Sequence, residues 1–66
     1  MTICYQGKRI ETTATTLAAF LAERGVDAAR AVVEYAGEIY PPKSDLSAVP
    51  LKEGAVLDVF QIVAGG

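Results

Sequence analysis

A chain of 66 residues leaves room for one domain, and a domain of that size buries only about 60% of the surface its unfolded chain exposes. With no histidine and one cysteine, Cys4, it has no zinc-ligand set, no cysteine–histidine nucleophile pair and no internal disulfide. The net charge of −2, with six scattered basic residues, excludes the footprint of a nucleic-acid binder.

Residues 1–6, MTICYQ, alternate Met1, Ile3 and Tyr5 against Thr2, Cys4 and Gln6, the period of a half-buried strand. Lys8 and Arg9 come after these apolar residues, the reverse of a secretory leader. No apolar run approaches the roughly 20 residues of a membrane span. A soluble cytoplasmic protein with neither membrane nor nucleic acid as partner is expected.

Gln6-Gly7-Lys8 supplies a turn, and Arg9–Thr12 reads as the returning strand of a hairpin. Thr15 or Thr16 is placed to cap a short helix in which Leu17, Phe20 and Leu21 share a face. Gly25 suits the left-handed position that closes it, and Arg24 falls in the last turn. Ala31–Tyr35 is a third strand, turned by Ala36-Gly37-Glu38 into a brief pairing of Ile39-Tyr40 that Pro41-Pro42 ends. Residues 43–50 read as irregular, with one helical turn started by Ser44 and anchored by Leu46. After a turn at Lys52-Glu53-Gly54, Ala55–Val63 is the strongest strand, apolar except for Asp58 and Gln61.

Hairpin, helix and two further strands require one helix on one face of a small mixed sheet. The first and last strands, being the most apolar, belong side by side at its centre. A right-handed crossover through the helix agrees with the handedness of parallel connections. The expected fold is α+β, the ubiquitin-like β-grasp, with a domain over residues 1–63 and a flexible tail over 64–66.

Alternation along the last strand sets Leu57 and Val59 on one face and Val56, Asp58, Phe60 and Ile62 on the other. An unpaired carboxylate is too costly to bury in so small a core, so Asp58 marks its face as the solvent side. Phe60 and Ile62 are then exposed with it. Two such neighbours either form a partner-docking patch or complete a small cluster with Tyr5 or Tyr40. Cys4, inside the first strand with Thr2 and Gln6 as its alternation partners, reads as a quiet packing residue, the usual role of a free cysteine.

The chain ends FQIVAGG. A carboxylate on Gly66 would be ionised at neutral pH and would act as a nucleophile toward the α-phosphate of ATP. Ala64 and Gly65 present little or no side chain and suit threading into a narrow channel. Joined to a small acidic β-grasp pattern, this ending resembles the ThiS family of thiamine-biosynthesis sulfur carriers. The resemblance runs from the strand at Met1 through TTLAAFLAERG to EGAVLDVFQIVAGG.

It implies a protein cosubstrate, not an enzyme. Gly66 would be adenylated by a ThiF-type enzyme and converted to a thiocarboxylate, with sulfur from a donor such as a cysteine desulfurase. The sulfur would then pass to thiazole synthase. No cofactor is expected on this chain; ATP and magnesium would sit on the activating partner. Ala64 and Gly65 would thread the tail, and Phe60, Ile62 and Asp58 would dock. Sulfur carriage for molybdopterin or cysteine synthesis, or conjugation to lysine as a ubiquitin-like modifier, uses the same activated carboxylate. An inert tail on a plain binding domain is the remaining alternative.

Overall fold

The computed structural model describes residues 1–62 of the chain. Strands β1 (Thr2–Tyr5) and β2 (Lys8–Glu11) form a hairpin, followed by helix α1 (Leu17–Glu23). A 3-10 turn at Ala28–Arg30 leads into β3 (Ala31–Tyr35) and β4 (Glu38–Tyr40). A second 3-10 turn, Leu46–Ala48, precedes the last strand, β5 (Val56–Gln61). The five strands make one sheet in the order β2-β1-β5-β3-β4, with β1 and β5 parallel and the other neighbours antiparallel. This is the β-grasp expected from the order of elements, with the first and last strands adjacent near the centre.

Both hairpins close through two residues with positive φ. Gln6 and Gly7 stand at +50° and +80°, Ala36 and Gly37 at +52° and +85°. These are the dihedrals of a type I′ turn, whose twist matches that of the strands it joins. Only glycine takes such values without steric cost. Gln6 gains in return, because its side chain continues the sheet beyond the end of β1. Its Nε2 donates to the Val59 carbonyl and its Oε1 accepts from the Val59 amide, each at 3.0 Å.

Helix α1 begins at Thr16, whose hydroxyl accepts from the Ala19 amide at 3.1 Å, satisfying one first-turn donor. It ends with Gly25 at φ +72°. The Val26 amide donates to the Leu21 carbonyl at 2.9 Å and the Gly25 amide to that of Ala22 at 3.1 Å, the paired bonds of a Schellman ending. Seven residues make too short a helix to stand alone; packing holds it. Leu17, Phe20 and Leu21 press onto Ile3, Val33 and Leu57, and all six are almost fully buried. Tyr5 meets Phe20 edge-on, with ring centroids 5.3 Å apart. Arg24 lies at the helix end, where its guanidinium sits 5.5 Å from the Tyr5 ring centre.

Tyr35 ties the long connection to the sheet. Its hydroxyl donates to the Pro50 carbonyl at 3.0 Å and accepts from the Lys52 amide at 2.8 Å. Two local expectations differ from the structure, and one turn was not anticipated. The helical turn at Leu46 is capped by Asp45, whose carboxylate accepts from the Ser47 amide at 3.1 Å. Ser44 instead donates its hydroxyl to the Pro41 carbonyl at 2.6 Å. The turn at Ala28–Arg30 has no counterpart in the sequence pattern: its three residues carry no apolar period, and Asp27 starts it by accepting from the Ala29 amide. The last strand leaves out Ala55 and Ile62 of the expected Ala55–Val63, running from Val56 to Gln61, and Val63 lies outside the described residues.

Candidate functional site

The helix covers one face of the sheet and leaves the other open. Strand β5 turns Leu57 and Val59 toward the helix, where they are buried. Its alternate residues face outward, with Val56 and Ile62 each 53% exposed and Phe60 58%. Asp58, between them, is half-buried. The solvent side inferred from that carboxylate is therefore the open side.

Neither tyrosine joins Phe60 and Ile62 there. Tyr5 is packed on the core through Phe20, and Tyr40 pairs with the inward-facing Val33 and packs on the same core. The alternative of a closed cluster around either ring is thereby excluded.

Register enlarges the patch beyond β5. Antiparallel pairing sets Val32 opposite Phe60 and Glu34 opposite Asp58, and Ile39 on β4 stands opposite Glu34. Directly opposed residues share a face, so all of these lie on the open side; Ile39 is 68% exposed. The face thus carries an apolar area of Val32, Ile39, Val56 and Phe60, crossed by two facing carboxylates. Sequence reasoning found the β5 contribution and missed that of β3 and β4. The signal was present: Ala31, Val33 and Tyr35 alternate inward, which turns Val32 and Glu34 out.

The open face continues to Ile62, the last described residue. The Ile62 amide donates to the Arg30 carbonyl at 2.7 Å, which pins the end of β5 beside the turn at Ala28–Arg30. The expected tail residues Ala64, Gly65 and Gly66, with Val63 before them, lie outside the described residues. On β1, Cys4 is half-buried, opposite Arg9 and level with Val56. No group of three or more acidic, cysteine or histidine side chains is arranged to hold a metal among the described residues. No helix among them is long and apolar enough to cross a membrane.

The geometry suits a domain that binds through one open face, with Ile62, the last described residue, at the border of that face. The family model described as the ThiS family matches residues 3–66. The chain belongs to the ThiS family. Members of that family are small sulfur carrier proteins, not enzymes. Among solved structures, the chain is similar to the thiamine biosynthesis protein (ThiS) from Geobacter metallireducens, with 21% identity and a TM-score of 0.79 over the whole of both chains. That likeness extends to the β-grasp fold. No curated protein matches the chain.

Proposed function

We propose that the protein carries sulfur on Gly66 for formation of the thiazole ring of thiamine. The observation that carries this reading is the family match, which spans residues 3–66 and so takes in Ala64, Gly65 and Gly66 as well as the domain. An ionised carboxylate is a poor electrophile, so it must be activated before sulfur can be attached. A ThiF-type enzyme would supply ATP and magnesium. The Gly66 carboxylate attacks the α-phosphorus, pyrophosphate leaves, and an acyl adenylate results. The terminal sulfur of a donor's persulfide, such as that of a cysteine desulfurase, then displaces AMP to give an acyl disulfide. A second thiol cleaves its S–S bond, forming a disulfide with the donor sulfur and releasing the thiocarboxylate, which thiazole synthase consumes.

The chain's own residues bind and present. Phe60 and Ile62 offer apolar area to the activating enzyme, and Asp58 helps to orient it. The hydrogen bond from Ile62 to Arg30 holds the domain's end of the tail in place. Gly65 lacks a Cβ and Ala64 has only a methyl group, so a partner's backbone can close around both.

Intact mass before and after incubation with ATP, magnesium, a ThiF-type enzyme and a sulfur donor tests the proposal. The expected result is a gain matching replacement of one oxygen by sulfur, localised to Gly66 and lost on deletion of Gly65 and Gly66. An unchanged mass beside a competent control carrier would refute it.

A further inference from the structure

We propose that Glu34 and Asp58 together form the seat for one guanidinium group of the activating partner, framed by Phe60, Val32 and Ile39. This deepens the carrier reading and rests on it. Antiparallel register places the two carboxylates directly opposite each other on neighbouring strands, and like charges so placed destabilise a sheet. Nothing in the fold calls for that pairing. Both side chains point away from the core, and a neutral residue at either position would remove the repulsion.

The surroundings indicate what relieves it. Phe60 and Val32 occupy the adjoining cross-strand pair, and Ile39 flanks Glu34 on the other side. When a partner covers these apolar groups, water leaves and the two carboxylates need a counter-charge. Guanidinium is the better match. Its planar fork donates to two carboxylates at once, and it is more weakly hydrated than an ammonium. The backbone holds the acceptors in position, because β3 and β5 pair over five residues on each strand.

A second copy of the chain is the poorer occupant. Two-fold pairing through this face would bring four carboxylates together. A metal ion is also poorly served, as no third acidic, cysteine or histidine ligand joins the pair among the described residues.

Glu34→Gln, Asp58→Asn and the double substitution test the seat in two measurements. Free variants are expected to melt about 2–6 °C above the parent at low salt, because repulsion is removed. In adenylation by a ThiF-type enzyme, the double variant is expected to raise the KM for the carrier roughly tenfold or more at low salt. Its KM should also lose most of the salt dependence shown by the parent. A variant KM within about twofold of the parent's would overturn the seat and leave the carrier reading standing. A melting point that falls would overturn it as well, showing the carboxylates to be satisfied within the domain. Failure of the parent to be adenylated, beside a competent control carrier, would sink the carrier reading and the seat with it.

Discussion

Leu57 and Phe60 lie on the same strand, yet Leu57 has no exposed surface and Phe60 shows 58% of its own. The difference comes from the one helix, which can cover only one side of the sheet. On the covered face, Ile3, Val33, Leu57 and Val59 meet Leu17, Phe20 and Leu21 and supply much of the burial that stabilises the domain. On the open face, Val32, Ile39, Val56, Phe60 and Ile62 are just as apolar but have no cover. Composition alone does not separate core from docking surface in so small a protein. Position relative to the helix does, and β5 contributes to both.

The comparison breaks most sharply at Phe20. It is the largest fully buried side chain, and it also holds Tyr5 edge-on. Phe20→Ala is expected to cost about 3–5 kcal/mol. At 66 residues, roughly 0.05–0.15 kcal/mol per residue gives a total stability not far above that loss. Urea denaturation followed by circular dichroism should find the variant largely unfolded, or with its midpoint close to zero denaturant. A midpoint near the parent's would mean that the helix contributes far less to the core than its packing indicates.

Tyr35→Phe is expected to be milder. The ring stays in the core, but the Pro50 carbonyl and the Lys52 amide both lose their partner. Leaving such groups unsatisfied costs about 1–3 kcal/mol. Hydrogen exchange should also quicken at the Lys52 amide more than at amides within β5, because the loop is released before the sheet. Equal acceleration at both sites would mean that loop and sheet open as one unit.

Much of this was legible in the sequence, and the reason differs from element to element. Strand β5 revealed its two faces because one carboxylate, Asp58, interrupts an otherwise apolar run. The helix revealed its buried stripe through Leu17, Phe20 and Leu21, its start to within Thr15 or Thr16, and its end through Gly25. Ala28–Arg30 and the Asp45 cap were hidden because they depend on a few local hydrogen bonds with no periodicity behind them. The meeting of Glu34 with Asp58 was hidden for another reason. It is a property of register between strands 20 or more residues apart, and each strand read by itself shows a single solvated acid.

Phe60→Ser completes the comparison with the smallest expected effect on stability. Phe60 stands opposite Val32 and is largely exposed, and a strand position of that kind changes stability by about 1 kcal/mol or less. Deleting an aromatic anchor from a binding face commonly costs an interface about 2 kcal/mol or more, a loss in affinity of roughly thirtyfold. Thermal melting and the KM for adenylation by a ThiF-type enzyme should therefore diverge in this variant, whereas in Phe20→Ala both would deteriorate together. If Phe60→Ser lowers the melting point as much as Tyr35→Phe does, the open face is contributing to the fold and the division between the two faces is drawn in the wrong place. If neither quantity moves, the partner approaches from elsewhere, and the apolar surface around Val32 and Ile39 must be explained without it.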